Sequence, residues 1–249
     1  MNKWKCAAVC EALIIGTLLV VFLVKTDVFG GLIAPDYSTV NEIISWPKEK
    51  EPFAKSNWNY NEREQLYMSF QRECDLVCFG DSITQKFEWG DAFPDWRVAN
   101  RGIGSDTTEG MLTRVDSVVA LSPKVISIMA GINDISMKRA TDEIIRTYRE
   151  LLLAVKTSLP DTYIIVTSVL PVSEAHPIES NDIVELNMQL KLLCNELGVI
   201  YLDLFDEFAD EKENLCSEYA IDNVHLTTQG YLLWLSHLAS ALNQLNLSK

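Results

Sequence analysis

The 249-residue chain has a formal net charge of −14, which argues against nucleic acid as a partner because its phosphates would be repelled. With 48% hydrophobic residues the chain can bury a full core, most simply one enzyme-sized domain with an appendage. It has only three histidines, widely scattered, and no C-x-x-C pair among its six cysteines, which speaks against a zinc site.

The N-terminus comes first in the chain and differs in kind from the rest. Lys3 and Lys5 precede an apolar run, Cys6–Val24, whose one charge is Glu11. As a helix this run would be about 28 Å long, close to the hydrocarbon thickness of a bilayer. Its uncharged part, Ala12–Val24, would reach about 20 Å, which suits a secretory signal core equally well. The segment after Val24 offers no clean small-residue cleavage site, so residues 1–35 are expected to be an uncleaved membrane anchor, with a removed signal as the alternative. Both place the rest of the chain outside the membrane by the positive-inside bias. There an oxidising compartment would permit disulfides among Cys74, Cys78, Cys194 and Cys216 without choosing a pairing.

Residues 36–65 are mostly polar and contain Pro47 and Pro52, which predicts a linker or collar. From residue 66 to 249 short apolar runs alternate with helical periodicity. Strands are expected at Leu76–Phe79, Arg97–Asn100, Val125–Ala130, Tyr163–Ser168 and Val199–Asp203. The clearest helix is Thr141–Lys156, with Thr141 as cap, Asp142 and Glu143 in its first turn and Ile144, Ile145, Tyr148, Leu151, Leu152 and Val155 on one face. A last helix is expected from about Thr227. Strand and helix repeated five times imply a three-layer α/β/α domain around a five-stranded parallel sheet, whose sites lie where the strands end.

Four loops on that rim carry chemistry. In "VCFGDSITQ" an apolar strand stops at Gly80-Asp81-Ser82, which displays a serine at the sheet edge; a plain strand-to-helix turn is the bland alternative. A serine nucleophile needs a base. His237 falls within the last helical pattern, and His176 sits before Pro177 with no acid placed by local sequence to orient it. In "IDNVHLTTQGY", Asp222 stands three residues before His225, close enough in a tight turn to hold Nδ1–H and leave Nε2 free to take the serine proton. After the third strand, Gly131-Ile132-Asn133-Asp134 offers a side-chain N–H for a developing oxyanion, against an ordinary Asx turn. In "NRGIGSDTTEGM", Asp106 and Glu109 have the spacing of a capping box, and backbone N–H groups before a helix favour anions. Taken singly each loop has an ordinary explanation; together they would have to imitate one catalytic set.

On "GDSITQ", "NRGIGSDTTEGMLTRV", "AGIND", "SVLPV" and "DNVHLTTQGY", in this order across Val77–Tyr231, the chain resembles the SGNH branch of the GDSL hydrolases, and within it the platelet-activating-factor acetylhydrolase-like esterases. The resemblance covers about the last two-thirds of the chain. It implies the flavodoxin-like SGNH fold over residues 66–249, with Ser82 as nucleophile, His225 as base, Asp222 orienting it, and an oxyanion hole formed by the backbone N–H of Ser82, the side chain of Asn133 and one second-block N–H. Relatives usually carry Gly directly before the Asp of that second block. Here the position is Ser105, to which the donor is assigned, with Gly104 as competitor. The absence of G-x-S-x-G counts against the nucleophile elbow of other α/β-hydrolases.

The expected function is a membrane-tethered, extracytoplasmic serine esterase that removes a short acyl group, acetyl foremost, through an acyl-enzyme and without a cofactor or metal. Alternatives are a cell-envelope polysaccharide O-acetylesterase, a lysophospholipase or thioesterase, and a catalytically silent glycan- or lipid-binding module. The sequence leaves the oligomeric state open.

Overall fold

The computed structural model describes residues 58–247. The anchor or signal expected over 1–35, and most of the 36–65 collar, lie outside the described residues. Among the described residues no helix is long and apolar enough to cross a membrane.

The strands are β1 (Leu76–Gly80), β2 (Val98–Gly102), β3 (Val125–Met129), β4 (Tyr163–Thr167) and β5 (Ile200–Leu202). They form one parallel sheet in the order β2-β1-β3-β4-β5. Each expected strand is present, with no end displaced by more than two residues. β1 and β3 are buried along their whole length, which is why both read as unbroken apolar runs.

Successive side chains leave opposite faces of the sheet, so Val77, Phe79, Ile126 and Ile128 enter one core and Leu76, Cys78, Val125 and Met129 the other. The first core is closed by α4 (Thr108–Thr113), α5 (Asp116–Val119), α7 (Thr141–Ser158) and α8 (Ser180–Leu197), which contribute Met111, Val118, Tyr148, Leu151, Leu186 and Leu190. The second is closed by α3 (Trp89–Ala92), α9 (Phe205–Phe208) and α10 (Thr228–Gln244), where Trp89 meets Trp234 edge-on at 4.8 Å. Three layers follow. Short α2 (Ser82–Gln85) and α6 (Ile132–Ser136) begin directly after β1 and β3.

Three expectations are corrected by packing. First, α1 (Trp58–Ser69) runs across the expected boundary between collar and domain at residue 65. Tyr60 and Tyr67 are buried against Ile103, and Tyr67 Oη donates to Gly102 O at 2.7 Å. Residues from 58 onward therefore belong to the folded domain. Second, the cap of α4 is Thr107, which accepts from Gly110 N at 3.1 Å, because the Asp106 carboxylate is committed to the buried Arg114 guanidinium at 2.7 Å. Third, Ala140 and not Thr141 occupies the cap position of α7. At α10 the expected start holds, with Thr227 accepting from Gly230 N. Cys74, Cys78, Cys194 and Cys216 are all free thiols, so the permitted disulfides do not form here.

Candidate active site

The rim of the sheet gathers the four loops. Ser82 is the first residue of α2, directly after β1, and Asp81 caps it by accepting from Ile83 N at 2.9 Å. His225 arrives from the loop before α10. Its Nε2 lies 2.9 Å from Ser82 Oγ, across 143 residues of sequence. Its Nδ1 lies 2.7 Å from Asp222 Oδ2.

Asp222 is held by its own turn. Its Oδ1 accepts from Val224 N at 2.8 Å and from His225 N at 2.7 Å, which leaves Oδ2 aimed at the ring. Desolvation opposes its ionisation, but the two backbone donors and the imidazole prevail and hold the carboxyl well below the usual carboxylate range. A carboxylate at Nδ1 fixes the proton on that nitrogen, so Nε2 presents its lone pair to Ser82. His176 is kept from this role by its setting: burial lowers its pKa, and its Nδ1 accepts from Ile178 N at 3.2 Å.

Asn133 stands in the first turn of α6. The chain enters that helix through Gly131 at φ 123°, where a Cβ would lie 2.9 Å from Leu186 Cδ2. Asn133 Nδ2 donates to Asp106 O at 2.8 Å and faces Asp81 Oδ2 at 3.4 Å. The amide group thus ties the loop after β3 to the loop after β2, and its second N–H has only a long, weak partner.

In the loop after β2 the backbone donors are nearly all spoken for. Ile103 N donates to Gly80 O, Asp106 N to Ile103 O, and Gly104 N to Gln85 Oε1 at 2.6 Å. Ser105 N makes no hydrogen bond within the described residues, and Ser105 has φ 62°. Between the two candidates from sequence, geometry therefore leaves the open donor at Ser105 and engages Gly104.

Beneath the rim lies a charge network that the sequence reading does not foresee. Arg114 is fully buried, donating to Asp106 Oδ2, Arg101 O and Gly80 O, so one guanidinium fastens the ends of β1 and β2 to the loop. Asp134 accepts from Thr108 N at 3.0 Å, Thr108 Oγ1 at 2.7 Å and Arg139 Nη1 at 2.8 Å, which joins α6 to the start of α4. Burial raises Asp106 to about 6 despite Arg114. Burial also raises Asp81 to about 7, with the charges of Asp106 and Asp134 adding to it against the Ile83 N–H.

The raised Asp81 has a consequence for stability. Between about pH 4 and 7 the folded chain keeps a proton there that the unfolded chain has lost, so this group's contribution to stability falls as pH rises. Asp81→Asn is neutral throughout. Whatever its fixed cost, its stability relative to the parent should improve between pH 4 and 8 by up to about 4 kcal/mol, read from denaturant unfolding. A difference that does not change with pH would show that Asp81 titrates normally.

Among the described residues no group of His, Cys, Asp and Glu could hold a metal ion. A serine on a histidine on a carboxylate thus stands at the C-terminal edge of a parallel sheet. The family model of the GDSL-like lipase/acylhydrolase family matches residues 78–233, and the chain belongs to that family. It is 28% identical over 168 residues to human platelet-activating factor acetylhydrolase IB subunit alpha2, covering 64% of this chain and 72% of that protein. Solved structures share the fold. A GDSL-like lipase from Bacteroides thetaiotaomicron superposes with a TM-score of 0.65 at 23% identity, over 78% of this chain and 99% of that one. An acetyl-xylooligosaccharide esterase from Geobacillus does so with a TM-score of 0.56 at 23% identity, over 67% and 93%.

Proposed function

We propose that the chain is a serine esterase that removes short acyl groups, acetyl foremost, through an acyl-enzyme on Ser82. The observation that carries this is the unbroken line Ser82 Oγ to His225 Nε2 at 2.9 Å and His225 Nδ1 to Asp222 Oδ2 at 2.7 Å. As Ser82 Oγ attacks the ester carbonyl, its proton passes to Nε2, and Asp222 stabilises the imidazolium. The N–H groups of Ser82 and Ser105 and the Asn133 amide receive the oxyanion. His225 then returns the proton to the departing alkoxide. Water repeats the sequence on the acyl-enzyme and releases the acid.

Two features support a short acyl group. A cavity of only about 10 Å³ is lined by Asp81 and Ile83, the neighbours of Ser82 in the chain, and by Met129, Ile132, Val169, Leu170 and Val224. The curated relative at 28% identity is named an acetylhydrolase. In a panel of esters sharing one leaving group, kcat/KM should therefore peak at acetyl and fall at least tenfold by hexanoyl, since each further methylene has no apolar room to enter. A profile rising with chain length would overturn the acetyl reading while leaving the esterase intact. Glycan and lipid leaving groups in the same panel separate an envelope O-acetylesterase from a lipid esterase.

The apolar run Cys6–Val24 supports placing this activity outside a membrane to which the chain is tethered. Full-length protein should sediment with membranes and resist alkaline carbonate. Recovery of a soluble form beginning between about residues 25 and 36 would instead establish a cleaved signal.

A further inference from the structure

We propose that Gln85 is a positioning residue for the oxyanion hole: its side-chain carbonyl clamps the Gly104 amide and thereby keeps Ser105 left-handed with its N–H open toward Ser82. The proposal rests on the reading of Ser105 as an oxyanion donor.

Three observations converge on it. Ser105 has φ 62°, a conformation that a residue with a Cβ adopts at a cost and keeps only where its surroundings enforce it. The neighbouring peptide is the one that is gripped, with Gly104 N donating to Gln85 Oε1 at 2.6 Å. The loop also lies against the nucleophile, since a Cβ at Gly104 would be 3.9 Å from Ser82 Cβ.

Gln85 is itself braced for this task. The Asn100 amide donates to Thr84 O at 3.1 Å, Gln85 O at 3.2 Å and Phe87 O at 3.0 Å, and its carbonyl accepts from Gly102 N at 2.9 Å. Trp89 Nε1 adds a further bond to Thr84 O at 2.8 Å. Any side chain at Gly102 would collide with the Gln85 backbone, so β2 and the end of α2 meet closely. The end of the helix that begins with Ser82 thus holds the loop that completes its oxyanion hole. Without the clamp, Ser105 relaxes toward negative φ and its N–H swings away. A glycine in its place would have no such tendency.

Gln85→Met keeps the volume and removes the acceptor. It should lower kcat for a small acetyl ester by about ten- to a hundredfold, with KM within about twofold, because a transition-state donor is displaced. In a Ser105→Gly background the same change should cost several-fold less, because the strain it releases is gone. The backbone amide of Ser105, followed by NMR as an alkyl fluorophosphonate modifies Ser82, separates the clamp from the donor reading. A large shift in the parent, absent in Gln85→Met, is the expected result. Equal shifts in both overturn the clamp and leave the donor reading standing. No shift in the parent overturns the donor reading and the clamp with it. Equal kinetic losses in the parent and Ser105→Gly backgrounds likewise overturn the clamp.

Discussion

Replacing Ser82 by alanine should reduce ester hydrolysis by about 10⁴-fold or more while leaving the fold in place. Ser82 Oγ has His225 Nε2 as its partner and makes no contact that the core depends on. Its backbone is fixed by the α2 cap, so the amide stays where it is. Stability should change by less than about 0.5 kcal/mol, as for a small residue at the rim. What disappears is the atom that becomes bonded to the acyl group. Unchanged turnover in a folded Ser82→Ala protein would remove the proposed mechanism.

His225→Ala should cost about 10³-fold or more, because among the described residues no other base lies within reach of Ser82 Oγ. Asp222→Asn should cost less, on the order of a hundredfold, because the Asp222 side chain is 50% exposed and water can replace part of its effect. The asparagine oxygen can still accept from Val224 and His225 N, but its NH₂ then faces Nδ1 and drives the ring proton to Nε2, the wrong nitrogen for taking a proton from serine. The limb of the pH–rate profile that reports the base should therefore shift or vanish in Asp222→Asn. Asn133→Ala should behave otherwise, losing about 3 kcal/mol of transition-state stabilisation, a hundredfold or more in rate, with the limb preserved. Asp134→Ala, next in sequence, should instead weaken the fold, because its carboxylate is buried among Thr108 and Arg139. A displaced limb in Asn133→Ala would tie that residue to the base and not to the oxyanion.

Much of this architecture is legible from local pattern alone. Strands buried on both faces leave uninterrupted apolar runs, and the turn chemistry of Gly80-Asp81-Ser82 and Asp222-x-x-His225 is complete within a few residues. Helix α1 is not legible, because Tyr60 and Tyr67 anchor it while Leu66 and Met68 stay exposed and the stretch Asn61–Gln65 is polar, as in a linker. Asp106 has the spacing of a cap, and nothing local reveals that Arg114 will be buried beside it and claim the carboxylate. Asp134 and Thr108 meet across 26 residues, and Gln85 and Gly104 across 19, so the network under the rim exists only once the sheet has brought the loops together. The departure at Ser105 is visible in the sequence, and what it requires, an enforced left-handed turn, becomes visible with φ 62°.

The most direct test of the central claim is to label the folded protein with a fluorophosphonate and locate the adduct by peptide mass spectrometry. The mechanism requires one phosphonyl group, on the peptide bearing Ser82, absent in Ser82→Ala and formed far more slowly in His225→Ala. An adduct on any other residue, or none on a protein that still hydrolyses esters, would contradict it.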